Sequence, residues 1–423
     1  MSFSIASLRV AVLGLGLTVA GYAGDVDQAA VNVPVTYAKQ VSRLVQTNCE
    51  SCHRPGQIAP FSLTNYRQVK AWSKMIKEVV QNKRMPPWHA DPGVGHAFGN
   101  DRSLTPEEID TLVSWIDHGM PLGDEADLPD KIEYVSDWRI GQPDMVFEMP
   151  EEYVVEPVGV VAYQYFTTET NFTEDKWITM SECRPGNAKV VHHIIIFVRD
   201  PKNSRESLAT SEGGQGFFDA YAPGSEAMVL KPGSARKIPA GASLIWQMHY
   251  TPTGKREADR SQFAIKFADG PINTQVTTTE AINTGFEIPA HASNHRVEAE
   301  LTFSKGATIF SLSPHMHYRG KAFDYVLVYP DGREDKLLQI SRYDFGWQTT
   351  YELAEPVHVP AGAKMKCVAH FDNSEDNPYN PQPGKAVRWG DQTWEEMMIG
   401  FFHLSWDKDA QQAKAQPVAE GTL

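Results

Sequence analysis

Cys49-Glu50-Ser51-Cys52-His53 is a C-x-x-C-H run. At this spacing two thiols form thioethers with the vinyl groups of a haem, and the histidine becomes an axial ligand to iron. The other use of C-x-x-C, a thioredoxin-like dithiol, requires a strand–helix–strand pattern that does not surround this motif. The sixth iron position needs a second ligand. Met85, in Arg84-Met85-Pro86-Pro87-Trp88, offers a thioether in a proline-stiffened loop after a helix, a ligand that raises the potential and suits electron transfer. His89, His96 and His118 are its competitors.

Fourteen histidines are present, several of them grouped. His315 and His317 stand at i, i+2. On a strand that spacing puts both imidazoles on one face, as a metal needs. His192 and His193 are adjacent, so an ideal strand points them to opposite faces. They reach one metal only if the strand is twisted, bulged or ending there; otherwise one is a surface and the other a core histidine. By spacing alone, His249 in Trp246-Gln247-Met248-His249-Tyr250 reads as a core histidine, and Met397 in Glu395-Glu396-Met397-Met398 as packing. His291, His295, His358, His370 and His403 carry no motif and read as structural or surface residues.

The elements that must position these groups differ along the chain. Residues 35–46 predict a helix leading into the haem motif. Val69, Trp72, Met75, Ile76, Val79 and Val80 predict another over 66–82. Thr105-Pro106-Glu107-Glu108 starts a third, with a cap, a proline in the first turn and a glutamate able to reach back. Three helices around a covalently bound porphyrin make a small all-α cytochrome c, expected over 24–130. An acidic, proline-containing linker follows. From about 135 onward short strands alternate with turn signals such as Lys231-Pro232-Gly233 and Pro330-Asp331-Gly332. About 270 residues is generous for one sandwich, so two are expected, over 131–295 and 296–407. The tail at 408–423 is polar and expected to fray.

Residues 1–23 have the pattern of a secretory signal: Arg9, an apolar core from Val10 to Ala20, and small residues at Gly21-Tyr22-Ala23. A periplasmic or secreted protein without stable membrane insertion follows from that reading. The formal charge of −14 argues against nucleic acid, whose binders carry basic patches. Besides the haem pair, Cys183 and Cys367 remain. In an oxidising compartment they either form a disulfide or stay as two buried thiols.

In chain order, His192-His193, Trp246-Gln247-Met248-His249-Tyr250, His315-Met316-His317 and Glu395-Glu396-Met397 resemble the copper type II, ascorbate-dependent monooxygenases, the family of peptidylglycine α-hydroxylating monooxygenase and dopamine β-hydroxylase. The resemblance covers about 150–407. It implies two all-β, jelly-roll-like sandwiches behind the cytochrome c, each holding one copper ion. His192, His193 and His249 match the electron-transfer copper site. His315, His317 and Met397 match the oxygen-activating site, where a soft thioether favours Cu(I).

The same resemblance exposes departures. The arginine that holds a peptide carboxylate in that family is replaced by Ser313, and its asparagine and tyrosine by Ile399 and Phe401. A less polar substrate is expected. The family's cysteine after the methionine ligand is Met398 here, which leaves Cys367 without that partner. The expected activity is hydroxylation of a C–H bond of a small organic substrate with O2. Electrons would come from a protein or small-molecule donor through the c-type haem, with heme c and two copper ions as cofactors. Two other functions fit the composition: a haem–copper electron carrier without catalysis, and a structural β protein fused to a cytochrome.

Overall fold

The computed structural model describes residues 34–134, 138–203, 217–223 and 225–407. The expected signal at 1–23 and tail at 408–423 fall outside them. The described residues are mostly β, with 37% strand and 12% helix. Among the described residues no helix is long and apolar enough to cross a membrane.

The helices lie where the periodicity predicts them. Tyr37–Val41, wound as a π-helix, runs into the α-helix Ser42–Asn48. Thr105 and Glu108 form the reciprocal capping box that starts Pro106–Asp117. The helix expected over 66–82 is two helices, Tyr66–Ala71 and Ser73–Gln81. They break at Trp72, which leaves helical backbone angles and stacks on Phe61 at 4.1 Å. Val41, Val45, Val69, Val80, Leu112 and Trp115 form the shared core of this segment.

Behind it stand two β units. In the first, a four-stranded sheet in the order Gln164–Glu169, Ser243–Tyr250, Val191–Arg199, Asp219–Tyr221 faces a sheet centred on Lys176–Arg184 and Gln262–Phe267. Ile194, Ile196, Trp246 and Met248 from one sheet meet Ile178, Phe263 and Ile265 from the other. In the second, eight strands form two sheets of four. One runs Thr277–Ile282, Ile399–Trp406, Ala307–His315, Tyr351–Val359. The other runs His295–Thr302, Lys364–Phe371, Gly320–Val328, Glu334–Ile340. Ile309, Leu312, Phe402 and Leu404 pack on Phe323, Tyr325, Leu327 and Met365 between them. Thr277–Ile282 pairs antiparallel with Ile399–Trp406. The junction of the two units therefore falls at about 276 rather than 295: the threonine-rich run at 277–282 suits a strand without saying which sheet it joins.

The helical segment is not closed on itself. Residues 86–102 leave it and run along the second β unit as a strap. Asp91 N–H donates to the Gln339 carbonyl (2.8 Å), His96 N–H to Leu337 (3.0 Å) and Gly99 N–H to Glu352 (2.8 Å). Gly95, at φ +81°, passes so close that a Cβ would lie 2.6 Å from the Leu337 oxygen, a place only glycine tolerates. Trp88, buried, sits edge-on to Tyr351 with ring centroids 4.8 Å apart. The helices lie within the range expected for the helical domain, while this strap ties residues 86–102 to the second β unit.

Cys183 and Cys367 are both free and buried, one in the core of each β unit. The reading as two buried thiols holds.

Two measurements check this packing. Trp88→Ala should lower the stability of the second β unit by about 3–5 kcal/mol, the cost of emptying a buried tryptophan site, seen as an earlier denaturant midpoint. Glu280 lies on the same face of its strand as Thr278, which receives Arg236 Nη2 of the first unit at 3.0 Å. One Glu280 oxygen is buried without a hydrogen-bond partner, and burial pushes its carboxyl up to about 7. The unfolded chain loses that proton first, so this group erodes stability as pH rises from about 4.5 to 7. Glu280→Gln should raise stability above pH 7, by up to about 3 kcal/mol, with the gain vanishing toward pH 4.5 in a melting series.

Candidate metal centres

The first centre is made by an irregularity. Val191 pairs with Tyr250 and His193 with His249, and the register shifts between Val191 and His193. One extra residue, His192, is accommodated there as a bulge, so two consecutive side chains turn to the same side. His192, His193 and His249 bring ligand nitrogens within 4.8 Å of one another. His193 Nε2 and His249 Nδ1 are buried with no hydrogen-bond partner. A native fold rarely strands two such atoms unless something else binds them, and three imidazoles fit a transition metal such as copper. Burial lowers His192 to about 4, with the Asp344 carboxylate opposing it, and lowers His249 to about 3. All three rings are thus held neutral, the form that binds metal.

The second centre lies where the strand Ala307–His315 ends. His315 Nδ1 meets Gln348 Oε1 at 2.8 Å, and His317 Nδ1 meets the Glu395 carbonyl at 3.3 Å. Both acceptors call for N–H at Nδ1, which leaves each Nε2 as the metal-binding atom. His317 Nε2 is buried without a partner. Burial lowers His315 to about 4 and His317 further.

Met397 is buried on the chain entering the strand Ile399–Trp406, and its neighbour Glu396 ties the two loops together. The Glu396 carboxylate accepts N–H from His317 (2.9 Å) and from Arg319 (2.6 Å), with the Met397 N–H also bonded to it. Arg319, itself buried, donates to the Trp394 carbonyl and to Asn373 Oδ1. Burial pushes the Glu396 carboxyl up to about 8, and these donors offset that rise only in part. One carboxylate thereby holds the backbone of His317 and of Met397 together. Two imidazoles and a thioether are a donor set that fits Cu(I).

The two sets approach each other across aromatic rings. Tyr163 lies edge-on to His193 (5.3 Å), His249 (5.1 Å) and His317 (6.2 Å), and its buried hydroxyl has no hydrogen-bond partner. Phe345 stacks on His192 at 5.3 Å and stands 5.9 Å from His317. Neither residue stands in a recognisable motif, and nothing in the sequence singles them out. Gln348 and His403 were equally silent. His403, read as structural, accepts or donates to Ser311 Oγ at 2.7 Å through Nδ1, while its buried Nε2 has no partner.

At the C-x-x-C-H run, Cys49 and Cys52 are free thiols within one turn, with His53 N–H bonded to the Cys49 carbonyl at 2.9 Å. His53 Nδ1 meets the Phe61 carbonyl at 3.1 Å, leaving Nε2 for a ligand. Trp72 and Met75 are exposed beyond the usual for their size, and Trp72 stacks on Phe61, the ring beside His53. Paired thiols, a histidine with its far nitrogen open and an uncovered apolar face fit a haem. Met85 follows the helix Ser73–Gln81, half-buried, with its N–H on the Val79 carbonyl. Of its competitors, His96 pairs with Asp335 on the second β unit and His118 caps its own helix at the Ser114 carbonyl. His89 lies half-buried on the strap.

No family model matches the chain, and no curated protein matches it. Among solved structures, the major capsid protein P2 of bacteriophage PM2 is similar over 63% of this chain and 99% of its own, at 10% identity and a TM-score of 0.28. The infectious bursal disease virus Gx strain structure covers 65% and 84% at 8% identity and TM-score 0.18. The tandem CBM22 domains of Paenibacillus barcinonensis Xyn10C cover 62% and 93% at 9% and 0.16. Likenesses this weak carry no argument about fold or function.

Glu396→Ala leaves the buried N–H groups of His317 and Arg319 without their acceptor and removes the acid beside the buried Arg319 guanidinium. It should cost about 3–5 kcal/mol of stability. In chain that remains folded, metal analysis after copper loading should show loss at the His315/His317/Met397 set with the three-histidine cluster still filled.

Proposed function

We propose that the chain is an exported copper monooxygenase related to the ascorbate-dependent type II family, carrying a c-type haem as its electron inlet. The observation that carries this reading is the pair of buried donor sets, three histidines at one bulge and His315/His317 clasped to Met397, meeting at Tyr163. With the eight strands of the second β unit's two sheets numbered in chain order from Thr277–Ile282 as 1 to Ile399–Trp406 as 8, the order 1-8-3-6 facing 2-7-4-5 supports a jelly roll, as the family resemblance implies. With copper on His192/His193/His249 and on His315/His317/Met397, and haem on Cys49/Cys52/His53 with Met85, the bound groups would supply one-electron transfer and hydroxylation of a substrate C–H bond by dioxygen.

The chain's own residues do the rest. Gln348 and the Glu395 carbonyl fix the tautomers of His315 and His317, so that each presents Nε2. Glu396 sets the spacing between the His317 and Met397 backbones. Burial keeps all five imidazoles neutral and excludes bulk water. Tyr163 and Phe345 close the space between the two sets with ring edges and faces. Ser313, turned to Thr350 Oγ1 at 2.7 Å, and Phe401, edge-on to Phe217, leave no cation for a peptide carboxylate at those positions. A small, weakly polar organic substrate suits that wall.

Copper-loaded, reduced protein should consume O2 in step with product formed from such a substrate, and Met397→Ala should lower turnover at least about 100-fold while His53→Ala spares turnover driven by a small reductant that reaches copper directly. Full turnover in Met397→Ala would refute the oxygen-site assignment. Copper uptake without O2 consumption would favour an electron carrier, and rapid hydroxylation of glycine-extended peptides would refute the weakly polar substrate.

A further inference from the structure

A cleft of about 220 Å³ lies between the two β units, and the strap from the helical segment forms part of its wall through Pro87, Asn100 and Arg102. Its sides are aromatic: Phe217 and Phe218 from the first unit, Phe310 and Trp347 from the second. Three buried polar atoms among its lining residues have no hydrogen-bond partner: Gln348 Nε2, Arg236 Nε and His403 Nε2. The first two are obligate donors. Gln348 has its oxygen committed to His315 Nδ1; its amide nitrogen lies just behind the cleft wall, and a small shift of the half-buried side chain presents it to a ligand. Arg236 is already engaged at its other nitrogens by the Phe218 carbonyl and Thr278.

The charges around the cleft balance, with Arg102, Lys231 and Arg236 against Asp219, Glu226 and Glu352. A ligand carrying net charge would gain no surplus of opposite charge there and would lose its hydration. The volume exceeds the roughly 150 Å³ that accommodates benzene in an engineered apolar cavity, so a single substituted ring fits.

Resting on the oxygenase reading above, we propose that this cleft binds a neutral, single-ring-sized apolar molecule bearing a hydrogen-bond-accepting oxygen, which the Gln348 amide holds beside His315. The amide then has a double task. Its oxygen orients the imidazole, and its nitrogen orients the substrate, so one side chain sets the distance between the two.

The test uses the full chain freed of metal, with acetophenone, ethylbenzene and benzoate as probes, read by ligand-observed NMR. Acetophenone should bind saturably. Ethylbenzene, of the same shape without the oxygen, should bind roughly tenfold more weakly, the worth of one hydrogen bond to an otherwise unpaired donor. Benzoate should bind more weakly than acetophenone. Gln348→Glu retains an oxygen for His315 but has no donor, and should abolish the preference for acetophenone over ethylbenzene. Met228→Trp, which fills the cleft from a two-residue strand at its rim, should remove binding of all three, with a melting curve confirming the fold. Equal binding of acetophenone and ethylbenzene, tighter binding of benzoate, or undiminished binding to Met228→Trp would overturn the proposal, as would no saturable binding of acetophenone. Because no metal or turnover is involved, such a failure leaves the oxygenase reading standing. Conversely, acetophenone bound in the cleft but never consumed with O2 by the copper-loaded protein would count against that reading and leave the site intact.

Discussion

The buried carboxylate of Glu396 is the interaction on which the candidate oxygen-side centre depends. Its acceptor oxygens meet N–H groups from His317, Arg319 and Met397, residues separated by nearly 80 positions in the chain. Without it, the end of the strand Ala307–His315 and the start of Ile399–Trp406 would still pair, since His315 lies opposite Ile399. What would be lost is the path of the chain just beyond that pairing, where both ligands sit. An acid buried this deeply is costly unless its lone pairs are filled, and here they are filled by the backbone of the loops it aligns. Arg319 extends the clasp to Trp394 and Asn373, so the loop carrying Met397 is anchored on both sides.

Much of the architecture was legible in the residues. The turn signals Lys231-Pro232-Gly233 and Pro330-Asp331-Gly332 each fall between two observed strands, and the capping box at Thr105 begins its helix as the sequence demanded. The requirement that His192 and His193 share a metal only on an irregular strand is met by the bulge between Val191 and His193. What was not legible depends on contacts distant in sequence. Trp72 breaks a helix because Phe61 offers it a stacking partner. Thr277–Ile282 joins the second unit because its hydrogen-bonding edge is Ile399–Trp406. Tyr163, Phe345, Gln348 and His403 have no periodicity or motif to announce them. Their importance comes from where the two β units bring their side chains.

The contact between the two β units combines directional bonds with aromatic packing such as Phe217 against Phe401. Arg236 of the first reaches Thr278 of the second, whose hydroxyl returns to the Phe217 carbonyl. Tyr163 N–H of the first unit meets Gln392 Oε1 of the second, immediately before the Glu395–Met397 run. The two donor sets are therefore held in register by a few directional bonds and by interlocking aromatic rings. The cleft with unpaired donors opens along the same seam.

The strap of residues 86–102 has a consequence for how the molecule is assembled. It supplies Trp88 to a core whose other members begin nearly 200 positions later, at Ala281. As the chain emerges during synthesis, this segment has no surface to settle on until the last β unit is made. Contacts of such long sequence separation form late and slow the search for the native state. The helical segment carrying the C-x-x-C-H run and the second β unit therefore complete their folding together. A fragment beginning at the first strand would carry every copper ligand proposed above, yet would lack a tryptophan from its own interior.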